Sequence, residues 1–142
     1  MANEILFKLT HPSAKAPVRA SEGAAGYDLH IADGEYDKCT ETWLIDTGVA
    51  MAIPEGMVGK VYIRSGIAAK GARLVNGTGI IDSDYRGPIK LMIHKPPSVN
   101  IIQGDRVGQI VFVSLPDVEW VAVDELPATA RGVGGFGSTG MI

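Results

Sequence analysis

Glycine and proline interrupt this chain so often that it has no room for a long helix. The sequence holds 18 Gly and 8 Pro, and the longest stretch without either, Glu35 to Thr47, spans only 13 residues. These two residues are the least compatible with a helix interior. Helical bundles and coiled coils are therefore excluded.

Hydrophobic residues instead alternate with a period of two, which is typical of half-buried strands. The clearest case runs from Trp43 to Ile53. Similar alternation occurs at residues 57–63, 89–93, 107–113 and, near the two ends, at 5–9 and 118–122. The one helix candidate is short, Ser65 to Lys70. Many short strands without crossover helices predict an all-β fold, a compact antiparallel β-barrel or jelly roll with one short helix.

Length and composition predict a single globular domain. The chain has 142 residues, of which 46% are hydrophobic and 20% are charged, close to the averages for folded domains. Residues 131–142 form a glycine-rich end with little apolar surface to bury, so we expect it to be mobile. The predicted organisation is one domain over 1–142, with a β-barrel core at 1–130 and a tail at 131–142.

Charge and hydropathy argue against two classes of partner. The formal net charge of −3 gives no basic field for nucleic acid, and no apolar run approaches the ~20 residues of a membrane span. The first residues lack a signal-peptide pattern, which predicts a cytoplasmic protein, or a nuclear one if the source is eukaryotic or viral. The one cysteine, Cys39, cannot form an internal disulfide and is interpreted as a bystander.

Two early clusters carry polar groups suited to chemistry. Asp28, within AGYDL, is either a strand-edge carboxylate bound by backbone amides or part of a site. Arg64-Ser65-Gly66 follows a predicted strand and opens the helix candidate. Arginine offers a bidentate fork for phosphate, whereas the alternative is an ordinary Ser N-cap beside a solvated arginine.

A third cluster spans 76–87, NGTGIIDSDYRG, and is predicted to be a hairpin. It does not fit a calcium loop, because the twelfth position from Asp82 is Ile93 rather than Glu. Asp82 follows the apolar pair Ile80-Ile81, a placement expected to desolvate it partly and to tune it as a base. A purely polar hairpin tip describes Asp84 and Arg86 better than Asp82.

The fourth cluster is the tail itself, RGVGGFGSTG. Its glycines match the spacing G-x-G-x-x-G, but no helix has room to follow, so a dinucleotide-binding fingerprint is excluded. An arginine, an aromatic ring and a Ser-Thr pair set among glycines suit a lid with anion donors and a stacking surface.

Together with GDRVGQ (104–109), the segments AGYDL, RSGIA, GIIDSDYRG and RGVGGFGSTG closely resemble, in order, the five motifs of the homotrimeric dUTPase family (deoxyuridine 5'-triphosphate nucleotidohydrolases). One departure is Gly108, where the family commonly has Ala. The resemblance implies a homotrimer with active sites shared between subunits. It also implies hydrolysis of dUTP at the α-phosphorus to dUMP and pyrophosphate, which keeps uracil out of DNA and supplies dUMP for thymidylate synthesis.

The resemblance also implies roles for individual residues. Asp82 would be the general base, with Arg64 and Ser65 as the other catalytic residues. The α- and β-phosphates would be held by Arg64, Ser65, Gly66 and Gln109. Mg²⁺ would bind the triphosphate with no direct protein ligand, and Asp28 would reach it through water.

Uracil would be recognised by the Asn76 side chain and by backbone at Gly79, Ile80, Ile81 and Lys90, and Tyr85 under the sugar would exclude a ribose 2′-hydroxyl. The tail of a neighbouring subunit would close on the ligand. Its contacts would come from Arg131, Phe136, Gly137, Ser138 and Thr139, with the Phe136 ring on uracil and the arginine and hydroxyls at the γ-phosphate.

Two other functions stay open on sequence grounds. A dCTP deaminase-like enzyme shares this fold and a similar nucleotide site, but it needs a different acid/base set to attack the pyrimidine ring. A nucleotide-dependent protein-binding or regulatory module would keep the fold without the chemistry, although Asp82, Arg64 and Phe136 are all present.

Overall fold

The computed structural model describes residues 3–137 and 140. Within that part of the chain there are nine strands and one four-residue helix, as the period-two pattern predicts. The elements are β1 (Leu6–Leu9), β2 (Tyr27–His30), β3 (Asp33–Asp37), β4 (Thr42–Ala52), β5 (Met57–Ile63), α1 (Ser65–Ala68), β6 (Arg73–Leu74), β7 (Gly79–Ile81), β8 (Pro88–His94) and β9 (Arg106–Ser114).

The strands form two antiparallel sheets that pack as a jelly-roll sandwich. The first sheet has the order β1-β4-β8-β6, with β3 also paired to β4, and the second has the order β2-β9-β5-β7. Both sheets contribute to one core, whose most buried side chains are Leu29, Val49, Val61, Ile89, Leu91, Ile93, Val107 and Ile110. The predicted all-β fold with one short helix is therefore confirmed.

Strand β4 has a local irregularity where it pairs with β8 in the first sheet. Its pairing with β8 is interrupted between Asp46 and Ala50, and there the hydroxyl of Thr47 donates a 2.7 Å hydrogen bond to the carbonyl of Ile89. Gly48 adopts a φ of 65°, where a side chain would also collide with the Cβ atoms of Ala14 and His11 at 2.7 and 2.8 Å. Only glycine fits that position without strain.

Two local predictions are wrong. Residues 118–122 are not a strand, since β9 ends at Ser114 and no neighbouring strand of the described chain pairs with the segment; Trp120 is 95% exposed. The segment 76–87 is also not a hairpin, because β7 pairs with β5 in one sheet while β8 pairs with β4 in the other. The chain crosses between the two layers at residues 82–87.

The helix α1 has four residues. Among the residues that the structure describes, no helix is both long and apolar enough to cross a membrane.

Candidate active site

Three polar residues that the sequence patterns predict to be functional lie in a row across neighbouring strands of the second sheet. Asp28 on β2 is opposite Gln109 on β9, and Gln109 is in turn opposite Tyr62 on β5. Arg64, two residues after Tyr62, continues this pairing by donating its backbone N–H to the Val107 carbonyl at 3.1 Å. Directly paired residues project from the same face of a sheet. The row brings Asp28, Gln109 and Arg64 together, and we call it the phosphate row, after the role that the family resemblance predicts for Arg64 and Gln109.

The carboxylate of Asp28 is held between two guanidinium groups. Its Oδ1 lies 3.4 Å from Arg64 Nε, and its Oδ2 lies 3.4 Å from Arg106 Nη1, while only 10% of the side chain is exposed. Such pairing offsets the desolvation of a buried carboxylate. Arg106 is a functional candidate that the sequence analysis missed, because Asp28 and Arg106 stand 78 positions apart in the chain.

A histidine adjoins this cluster. A bulge between Leu29 and His30 sets His30 opposite Arg106, and the buried His30 Nδ1 atom has no hydrogen-bond partner among the residues that the structure describes. Burial, together with Lys15 and the two arginines, lowers the pKa of His30 below its ordinary 6.5, and the negative charge of Asp28 opposes this only in part. These surroundings favour a neutral imidazole beside the phosphate row.

Ser65 and Gly66 begin the short helix next to this row. The N-cap residue of α1 is Arg64, in an extended conformation and without a side-chain cap bond. Ser65 is therefore the first helical residue, and the N-cap interpretation of Ser65 is wrong. Ser65 and Gly66 are both exposed, and a Cβ atom on Gly66 would meet nothing within 4 Å. Both residues border open space that a ligand can occupy.

The residues assigned to the base and the sugar lie around β7. Gly79 and Ile81 are half-buried, whereas Asn76, in the preceding turn, and Asp82 are exposed. Ile80 is itself 56% exposed. The expected desolvation of Asp82 by the Ile80-Ile81 pair is thus wrong for the single chain, because neither side chain encloses the carboxylate.

Tyr85 and Lys90 follow on the crossing to the other sheet. The Tyr85 hydroxyl donates a 2.9 Å hydrogen bond to the carbonyl of Pro88, which fixes the ring over the 82–87 loop. Lys90 is exposed on β8, opposite Asp46 of β4. It therefore lies in a different sheet from β7, and not on a returning hairpin strand.

Asp82 and the phosphate row stand at opposite ends of β5. Asp82 directly follows Ile81, whose partner is Gly59 near the start of that strand, whereas Arg64 directly follows its end. At ~3.3 Å per residue, these positions are separated by about 15–20 Å along the strand. Within one chain, the carboxylate of Asp82 therefore does not lie beside Arg64.

The tail has only local contacts within the described residues. Arg131 Nε donates to the carbonyl of Gly134 at 2.7 Å. Phe136, with a φ of 52°, is fully exposed, and Gly137 is exposed. Ser138 and Thr139, the hydroxyl residues predicted to meet the γ-phosphate, lie outside the described residues. The ring predicted to stack on uracil is therefore not packed against any residue in the described part of its own chain.

Comparison with known proteins gives a result that does not depend on the geometry of the site. The dUTPase family model matches residues 12–140. A curated relative, the deoxyuridine 5'-triphosphate nucleotidohydrolase of Yarrowia lipolytica, is 44% identical over 133 residues, covering 91% of this chain and 84% of that protein.

Solved structures of similar proteins have the same fold as this chain. A variant dUTPase of Staphylococcus bacteriophage 80alpha, determined with dUpNHpp, superposes with a TM-score of 0.83 at 29% identity over 99% of this chain and 100% of that one. A variant dUTPase of phage phi11 of S. aureus, described as coordinating a structural Mg(II) ion, gives 0.73 at 27% identity over 87% and 98%. On the family match and the curated relative, this chain belongs to the dUTPase family.

Proposed function

We propose that this protein hydrolyses dUTP at the α-phosphorus, releasing dUMP and pyrophosphate. The observation that carries the proposal is the phosphate row, in which Arg64 and Gln109 lie side by side with the buried carboxylate of Asp28. A guanidinium and an amide on one face can donate several hydrogen bonds to a phosphate chain. Because the chain belongs to the dUTPase family, we infer that the phosphate chain bound by this row is that of dUTP.

Arg64, Ser65, Gly66 and Gln109 would bind the α- and β-phosphates. Because Asp28 pairs with Arg64, its charge fixes the guanidinium in position before the substrate arrives, which lowers the cost of ordering that side chain on binding. The exposed Ser65 hydroxyl would donate to the oxygen that bridges the two phosphates. Negative charge grows on that oxygen as the bond to the α-phosphorus breaks, so the donor acts most strongly in the transition state.

Asp82 would accept a proton from the attacking water. Its side chain is exposed in the single chain, so both carboxylate oxygens are accessible to a water molecule. As general base, Asp82 would orient that water toward the α-phosphorus and take up its proton as the new bond forms. In this proposal the carboxylate acts on a substrate held by another subunit.

The residues present also fit magnesium. Mg²⁺ takes oxygen ligands and is usually held by substrate phosphates, waters and one or two carboxylates. Asp28 provides one carboxylate within the phosphate row and would hold the water ligands of the ion. When bound, Mg²⁺ would supply charge neutralisation for the pyrophosphate leaving group.

Residues around β7 would recognise the uracil base and the deoxyribose. The Asn76 side chain and the backbone of Gly79, Ile80, Ile81 and Lys90 would complement the acceptor-donor-acceptor edge of uracil, so cytosine would leave buried polar groups unpaired. The Tyr85 ring, fixed by its bond to the Pro88 carbonyl, would lie under the sugar and leave no room for a 2′-hydroxyl.

A homotrimer would complete the sites, each joining the Asp82 end of one chain to the phosphate row of another. The separation of Asp82 from the phosphate row along β5 supports this arrangement, and so does segment 115–126, which exposes several large apolar side chains. That segment is strongly exposed at Trp120 (95%) and Leu126 (83%), as is typical of surface buried by association. Residues 1–130 would form the core of the single domain. The tail, residues 131–142, would close over the ligand of a neighbouring subunit. Its contacts with that ligand would come from Arg131, Phe136, Gly137, Ser138 and Thr139.

Product analysis tests the reaction directly. The protein is incubated with Mg²⁺ and dUTP, dTTP, dCTP or UTP in turn, and the nucleotides and phosphates are separated by chromatography. We expect dUMP and pyrophosphate in equal amounts from dUTP, and poor use of the other three. Release of dUDP and inorganic phosphate would place the attack at the γ-phosphorus and contradict the proposal, and deamination of dCTP would identify the deaminase instead.

A further inference from the structure

Two glycines have no room for a side chain because side chains of the proposed site fill the space. A Cβ atom on Gly26 would lie 2.5 Å from Gln109 Oε1 and 3.2 Å from Gln109 Cδ. A Cβ atom on Gly87 would lie 2.5 Å from the Tyr85 hydroxyl and 2.7 Å from Tyr85 Cζ. Neither glycine has a positive φ. What each position requires is therefore space, and not a special backbone conformation.

We propose that Gly26 and Gly87 are positioning residues, Gly26 for the amide of Gln109 on the phosphates and Gly87 for the Tyr85 ring under the sugar. This inference rests on the proposed function of those two side chains. Each glycine acts by leaving a space that admits its partner in one orientation.

The Gly26 contact lies within the sheet. Gly26 is buried, one residue before β2, and Gln109 is opposite Asp28 in the pairing of β2 with β9. The amide of Gln109 thus extends across the position of Gly26. A methyl group there would push the amide away from the row, and a shift of about 1 Å in a positioning group can cost on the order of 100-fold in rate.

The Gly87 contact lies within the crossing loop. The Tyr85 ring passes over Gly87 to reach the Pro88 carbonyl, to which its hydroxyl donates at 2.9 Å. A methyl group on residue 87 would displace both the hydroxyl and the ring carbon that bears it. The bond to Pro88 would then break, and the ring would leave the place from which it excludes a ribose.

The two contacts predict different kinetic effects when each glycine is replaced with alanine. Gly26→Ala should lower kcat for dUTP and for UTP by similar factors, on the order of 10-fold or more, with the dUTP/UTP ratio of kcat/KM unchanged. Gly87→Ala should lower that ratio on the order of 10-fold, chiefly by improving the use of UTP. Each variant serves as the control for the other. Gly23→Ala, where a Cβ meets nothing within 4 Å, should match the wild type in both measurements.

Double variants show whether each glycine acts through its partner. In a Tyr85→Ala background, Gly87→Ala should cause no further change in the dUTP/UTP ratio, and in a Gln109→Ala background, Gly26→Ala should cause little further loss of kcat. If Gly26→Ala fails to fold, folding restored by Gln109→Ala supports the collision. Failure of that double variant to fold would overturn the Gly26 assignment.

Steady-state kinetics with both nucleotides on this set of variants is the test. A wild-type ratio in Gly87→Ala, alongside a lowered ratio in Tyr85→Ala, would overturn the role of Gly87 while leaving the sugar contact standing. Equal use of dUTP and UTP by the wild type would overturn the proposed function of Tyr85 and the role of Gly87 with it.

Discussion

The guanidinium of Arg64 contacts the carboxylate of Asp28 at 3.4 Å. Arg64 directly follows β5 and Asp28 lies on β2. Since β9 lies between those two strands, the contact reaches across β9 within one sheet. Arg106 contacts the second oxygen of the same carboxylate. One buried negative charge therefore orients two cations beside the proposed phosphate site.

Replacing Asp28 with Asn should loosen this arrangement. The shape is kept, but two arginines remain together without a counter-charge, so we expect a higher KM for dUTP and a free energy of unfolding lower by about 1 kcal/mol. The exposure of the Arg64 and Arg106 side chains, 34% and 47%, limits the effect through solvent screening. Urea unfolding and steady-state kinetics measure both, with Glu35→Gln on exposed β3 as the control. An unchanged KM would show that Asp28 does not position Arg64.

Replacing Asp82 with Asn should separate binding from turnover. The amide keeps the shape of the carboxylate but cannot accept the proton from water, so kcat should fall by at least ~100-fold while affinity for a non-hydrolysable dUTP analogue is retained. The matched control is Asp84→Asn, two residues further along the same loop, which should keep near-normal kcat. Near-normal turnover in Asp82→Asn would mean that another group activates the water.

Removal of the tail should affect catalysis and not folding. Truncation after Ala130 deletes a tail in which none of the described residues is buried, so the thermal midpoint should change little. By contrast, kcat should fall sharply because the phosphate chain is no longer aligned. In the full-length chain, a non-hydrolysable dUTP analogue with Mg²⁺ should protect the tail from protease more than dUMP does. Equal cleavage with and without the analogue would show that the tail is no lid.

His30 should make stability depend on pH. Its pKa is lowered in the folded chain by burial and by Lys15, Arg106 and Arg64, so below the ordinary pKa of 6.5 the unfolded chain binds a proton that the folded chain resists. Stability is therefore full above that pH and is lost as pH falls through it. Between pH 7.5 and 5.5 the Tm of the wild type should fall more steeply than that of His30→Gln. Parallel curves would contradict the shift.

Patterns local in sequence were enough to predict most of the fold. Alternation in 43–53 and 89–93 anticipated β4 and β8, because a strand with one buried face shows period two whatever its partner is. The strand expected at 118–122 does not form, since a strand also needs an edge to pair with, and none is available to that segment among the described residues.

The site was predictable only in part. Motif resemblance supplied Arg64, Asp82 and Gln109, but nothing in the spacing of Asp28 and Arg106, 78 residues apart, indicated that they meet. That contact depends on the pairing of β2 with β9 and on the bulge at Leu29. The pairing of β7 with β5 likewise determines how far Asp82 lies from Arg64.

Subunit complementation tests the central claim, that each active site joins Asp82 of one chain to Arg64 of another. We expect an Asp82→Asn chain and an Arg64→Gln chain each to be almost inactive. Sedimentation equilibrium first shows that each forms a trimer of 15.0 kDa subunits. When the two are unfolded together and refolded at equal concentration, random assembly leaves about a quarter of the sites with both native groups. We predict recovery approaching a quarter of wild-type activity, against none when either chain is refolded alone. A mixture no more active than its parents, with mixed trimers present, would place both groups of each site in one chain and contradict the account.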